Sequence, residues 1–181
     1  MKKIVSYMMT GILLLSFLLT GCGSPEPQTG KKMSMYYINT AETKVEVHEQ
    51  YLNTKTLDEQ LDETMRYLST TPEKLEYKAP LDMGFRVLDY EVEDGKLLIN
   101  VDKAYSELSP TTEVLVRAAI VRTLTQLPNV KYVGITVEDS QLYDNAGEMV
   151  GWMNADQFIN NDGNEINTYE LVKVKLYFAN A

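Results

Sequence analysis

Few residue types in this chain can do covalent or metal chemistry. His48 is the only histidine and Cys22 the only cysteine. Zinc sites built on His and Cys are therefore excluded, as are Ser–His and Cys–His nucleophile pairs. A calcium loop around Asp162-Gly163 fails as well, because Phe158 and Tyr169 stand where its first and twelfth ligands belong. What remains is carboxylates. Asp102, Glu107, Glu138, Asp139 and Asp144 could supply a pair for hydrolysing a glycan. Acid-rich surfaces are common, however, and these acids fall in no catalytic motif, so no catalytic residue, cofactor or metal site is assigned. His48 sits on the polar side of a predicted strand and reads as exposed. Trp152 lies in a Gly-flanked loop. It reads first as a packing residue and is kept as a candidate ligand contact, since an indole can stack on a sugar ring.

Cys22 has a stronger reading. Lys2 and Lys3 form a positive start, Ile12 to Leu19 form most of an apolar run, and Leu19-Thr20-Gly21-Cys22 ends it. That order is a secretory signal, too short and wrongly flanked for a lasting membrane span. Its last four residues resemble a bacterial lipobox, whose Cys becomes the acylated first residue. Palmitate is among the expected acyl chains, and two or more chains suffice for stable anchoring. Loss of Lys2 and Lys3 takes two positive charges away, moving the formal charge from −9 to −11. That sign opposes nucleic acid and anionic lipid, and no basic stripe offsets it. The expected location is the extracytoplasmic face of a bacterial cell membrane, held by lipid rather than by charge. With no second cysteine, the fold must stand on its core.

Residues 1–22 thus read as leader and lipobox, 23–32 as a polar tether, 33–160 as one domain, and 161–181 as a linker and strand. In the domain, Met33 to Ile38 makes a first strand and Lys44 to Leu52 a second. Thr56-Leu57-Asp58-Glu59 is a capping box for a helix carrying Leu57, Leu61, Met65 and Leu68 on one face. Leu88, Tyr90 and Val92 alternate with acids up to Asp94-Gly95, then Leu97, Ile99 and Val101 return. Asp-Gly between alternating runs is a hairpin signal. The organising stretch is Ser109 to Val137. Ser109 caps a helix with Pro110 at its first position. Val114, Leu115, Ala118, Val121 and Leu124 form its stripe, which Val116, Ala119, Ile120 and Leu127 widen, and Arg117, Arg122, Thr123 and Gln126 mark its polar side. Leu127-Pro128-Asn129 ends the helix, and a β-rich run follows to Val137. A helix this apolar must be covered on most of its circumference. The sum is an α+β fold, two helices packed on one face of a mixed sheet of four or five strands.

The chain also echoes its own start. Met35-Tyr36-Tyr37-Ile38-Asn39 matches Leu176-Tyr177-Phe178-Ala179-Asn180 at an offset of 141 residues. The strand from Tyr169 to Phe178 is therefore expected to open a second, truncated repeat.

From Tyr36 to Phe158 the chain resembles the GerMN domain family of sporulation and spore-germination lipoproteins. The resemblance rests on Val92-Glu93-Asp94-Gly95, on Ile99-Asn100-Val101-Asp102, and on Ala119 to Val130 with the strand running to Asp139. It implies a fold similar to ring-building domains and a non-enzymatic, structural role in sporulation, germination or cell-envelope assemblies. It also implies partners among envelope or sporulation proteins, or a further copy of the chain. Binding to peptidoglycan is the alternative, and hydrolysis of wall glycan by paired carboxylates a more distant one.

Overall fold

The computed structural model describes residues 30–72, 76–144 and 146–158. The leader, Cys22, the tether up to residue 29 and the strand expected at Tyr169 to Phe178 lie outside them. In chain order the elements are β1 (Lys31–Asn39), β2 (Val45–Leu52), α1 (Leu57–Leu68) and β3 (Tyr77–Lys78). Then come β4 (Val87–Glu93), β5 (Lys96–Val101), a 3-10 turn (Lys103–Glu107), α2 (Pro110–Leu124), β6 (Tyr132–Val137), β7 (Ser140–Gln141) and a last 3-10 turn (Ala155–Gln157). The architecture is α+β, as expected. The strands form two sheets rather than one, ordered β2-β1-β3 and β4-β5-β6-β7. The added strands, β3 and β7, have two residues each, too few for any periodicity to register.

The local signals act where the sequence puts them. Thr56 Oγ1 accepts from the Glu59 N–H, and the Glu59 carboxylate accepts from the Thr56 N–H, each at 3.3 Å. Ser109 Oγ accepts from the Thr112 N–H at 3.2 Å, opening α2 behind Pro110. Asp94 and Gly95 both have positive φ, the mirror-type two-residue turn that matches strand twist, and Glu93 faces Lys96 across it. β5 and β6 run parallel, so they need a crossover, and α2 is that crossover.

α1 covers the Met33, Met35 and Tyr37 face of the first sheet, with the Tyr37 hydroxyl donating to the Tyr67 carbonyl at 3.3 Å. α2 does something different. Its last turn lies along an edge of β1 and supplies the hydrogen bonds a neighbouring strand would give. The Ser34 N–H donates to Gln126 Oε1 at 3.0 Å, Gln126 Nε2 donates back to the Ser34 carbonyl at 2.7 Å, and the Tyr36 N–H donates to Thr123 Oγ1 at 3.0 Å. Further along the same edge, β3 pairs with Ile38 and Asn39.

This placement corrects the polarity assigned to α2. Thr123, read as polar surface, is fully buried, whereas Val114, read as part of the stripe, is 44% exposed. Val116, Ala119, Ile120, Val121 and Leu124 form the buried face. The reading failed because a strand edge, unlike a sheet face, must be met by polar groups. His48 is also corrected. It pairs with Met35, is half-buried, and its ring lies 6.5 Å from that of Tyr37.

Candidate functional site

Of the acids proposed for a hydrolytic pair, Asp102, Asp139 and Asp144 are each tied to backbone or to another side chain, and Glu107 ends the 3-10 turn before α2. Asp102 accepts from the Arg86 backbone N–H at 3.1 Å and from its Nε at 2.9 Å. The Arg86 side chain thereby holds its carboxyl below the usual range. Asp144 Oδ1 accepts from the N–H groups of Ala146 and Glu148, both at 2.9 Å, and so shapes its own loop. Glu138 and Asp139, both at positive φ, form the tight turn between β6 and β7.

Asp139 is brought instead to Asn100, a residue the sequence reading did not single out. Asn100 Nδ2 donates to Asp139 Oδ1 at 2.8 Å and to Asp89 Oδ2 at 3.0 Å, and Asn100 Oδ1 accepts from the Asp139 N–H at 3.0 Å. One buried amide thus ties β4, β5 and the β6–β7 turn together. A polar residue on the outer face of a strand carries no sign of such burial. Only the turn folding over it creates the site.

A second polar group lies at the first turns of α2. The side chains of Glu113 and Arg117, at i and i+4, are each only 13% exposed, and Nε approaches Oε1 to 2.6 Å. The approach is off the N–H direction, so the contact is an ion pair rather than a hydrogen bond. The Tyr105 hydroxyl donates to the same Oε1 at 2.9 Å. Burial, then the adjacent carboxylate, push the Tyr105 phenol well above its ordinary pKa. Phe85 stands edge-on to that ring at 4.9 Å. Beside them is a pocket of about 100 Å³ lined by Tyr105, Ser106, Leu108, Glu113, Leu142 and Asp144, with Tyr143 at its rim. Small-molecule sites usually enclose at least about 300 Å³. This one has room for water or a single side chain. Among the described residues no group of three or more His, Asp or Glu side chains is placed to hold a metal ion.

Trp152 sits on the outer face of the second sheet. The neighbouring Met153 makes a two-way backbone bridge to Val133 (both bonds 2.8 Å), which lays this segment beside β6. The indole then folds onto Gly134, where an added Cβ would come within 2.8 Å of its ring and 3.2 Å of Leu98. The Lys96 ammonium is 5.2 Å from the ring centroid, and the residue stays 42% exposed. Tyr132, on the same strand face, is exposed too. The indole therefore packs and also presents an aromatic surface beside a cation. Gly134 is required by close approach, a need that only the folded neighbour reveals.

A direct check follows. Gly134→Ala should push the indole off the sheet and cost about 1–3 kcal/mol, the range for overpacking a filled site. Because Trp152 is the only tryptophan, its emission should move to the red as the ring becomes wetter. Unchanged emission and unchanged urea midpoint would show that the ring does not rest on Gly134.

Comparison with known proteins bears on the whole domain. Residues 34–143 match the family described as "Sporulation and spore germination", a description of a process and not of a reaction. The fold is similar to the first GerMN domain of the sporulation protein GerM from Bacillus subtilis. The TM-score is 0.55 at 14% identity, over 71% of this chain and 99% of that one. It is also similar to the tandem GerMN domains of the same protein, with a TM-score of 0.50 and 18% identity over 75% of this chain. The match spans about half (49%) of that tandem structure. No curated protein matches the sequence.

Proposed function

Because this chain belongs to the sporulation and spore germination family of GerMN domains, we propose that it is a non-enzymatic assembly part of the bacterial cell envelope. In this reading Cys22 is acylated and holds the domain at the extracytoplasmic face of the membrane, on the tether of residues 23–32. Its work is to contact other proteins during sporulation or germination. The observation that carries the proposal is the match of one whole GerMN domain to the body of this chain. The placement of the acids agrees with it. Asp102, Asp139 and Asp144 hold backbone and neighbouring side chains, which are structural tasks.

The test is co-sedimentation with purified peptidoglycan, with the supernatant assayed for released fragments. The expected result is a protein that stays in solution and releases nothing. Pelleting with the wall would overturn protein assembly in favour of glycan binding, with Trp152 as the first side chain to replace. Released fragments would overturn the non-enzymatic reading.

A further inference from the structure

The two long edges of the first sheet are treated differently. In β1, the even-numbered residues turn their backbone groups away from β2. Ser34 and Tyr36 are met there by Gln126 and Thr123, and Ile38 by β3. The odd-numbered residues of β1 face β2, and the register pairs Met35 with His48 and Tyr37 with Glu46. Alternation then requires the N–H and C=O groups of Val45, Val47, Glu49 and Tyr51 to point out of the sheet. Among the described residues no strand lies beside them.

Edge strands are usually blunted by a bulge, a proline or unpaired charge. β4, the edge of the second sheet, has such devices. Its register shifts between Val87 and Asp89, and it carries Glu91 and Glu93. β2 has neither bulge nor proline, and its pairing with β1 runs unbroken from Leu52 to Val45. Its acids are engaged inside the sheet's own hairpin, Glu49 by Lys32 at 2.7 Å and Glu46 by Lys44 at 2.6 Å. Val47, at the middle of the edge, is 46% exposed.

We propose that β2 is the seam of a symmetric dimer, in which β2 of a second copy pairs antiparallel with it about a dyad at Val47. The choice of a second copy rests on complementarity. A dyad at Val47 sets Val47 against Val47, Val45 against Glu49, and Glu46 against His48 twice. A dyad one pleat along, at Glu49, would set two carboxylates face to face. The two three-stranded sheets become one six-stranded sheet, and outward backbone groups gain partners at no cost to the fold within each copy. Two-fold closure also leaves no further edge of this kind to propagate.

The seam can be read by cross-linking the full chain carrying Cys22→Ser, so that each added cysteine is the only thiol. Facing residues of a hydrogen-bonded antiparallel pair have Cα atoms about 5.5 Å apart, within reach of a disulfide. Val47→Cys should form a disulfide-linked dimer on oxidation. Val45→Cys should not link to itself but should link to Glu49→Cys when the two are mixed. Val47→Pro supplies the second readout. Its N–H points outward and is unused inside the monomer, so the melting temperature should match the parent's at a dilution where both are monomeric, while at high micromolar concentration the sedimenting mass halves. The proposal is overturned if the wild-type chain sediments as a monomer at high micromolar concentration. It is also overturned if Val47→Cys links no faster than Tyr143→Cys, an exposed control far from the edge in sequence. Such a failure would leave envelope assembly standing with another partner, because the wall-binding test decides that question separately.

Discussion

Val121→Asp is expected to abolish the folded state. Val121 is fully buried in the last turn of α2, and its neighbours Ile120 and Thr123 are equally inaccessible. The helix is the crossover between β5 and β6 and also closes the edge of β1, so both sheets depend on it. A carboxylate there replaces a fully buried apolar side chain and must either stay charged in that site or take up a proton to remain buried. Either route costs several kcal/mol, against a total stability of about 5–15 kcal/mol for an ordinary domain. The expected measurement is loss of cooperative melting by circular dichroism at neutral pH. A cooperative transition within a few degrees of the parent's would show that α2 is not the core helix.

The second large effect concerns Arg117. Replacing it with Met removes the cation from Glu113 but leaves the carboxylate buried beside Tyr105. Breaking a buried pair from one side costs about 3–5 kcal/mol, whereas replacing both partners by apolar groups is often neutral. Arg117→Met should therefore destabilise strongly, and Arg117→Met with Glu113→Leu should recover most of the loss. Urea unfolding of the three proteins measures this. A double variant as unstable as the single one would show that the helix's length of apolar packing, not the unpaired charge, sets the cost.

Much of the fold was legible because it is written locally. The Thr56–Glu59 box, the Ser109-Pro110 start and the Asp94-Gly95 turn each satisfy backbone groups within a few residues. Such signals survive without knowledge of the neighbours. What was not legible arises between distant elements. Thr123 and Gln126 look like the wet side of a helix until β1 is laid beside them. Arg117 reads as surface until Glu113 and Tyr105 enclose it. Gly134 looks like an ordinary strand glycine until the Trp152 ring arrives. The count of sheets failed for the same reason, since alternation tells which face of a strand is buried but not which strand lies next to it. The candidate site was the least legible part. Glu113 and Tyr105 carry no motif, the motif around Asn100 assigns it no role, and the environment of all three is made by tertiary contact alone.

The amide clasp between Gln126 and Ser34 joins residues 92 positions apart. A chain made from its N-terminus can pair β1 with β2 but cannot close the other edge of β1 until the end of α2 and Gln126 exist, and the β5–β6 pairing waits for the same crossover. Long-range contacts of this kind slow folding, because the entropy of closing the loop is lost before the contact forms. The edge of β1 opposite β2 therefore stays open until residues 123–126 have been made. That edge is the last part of the first sheet to be sealed.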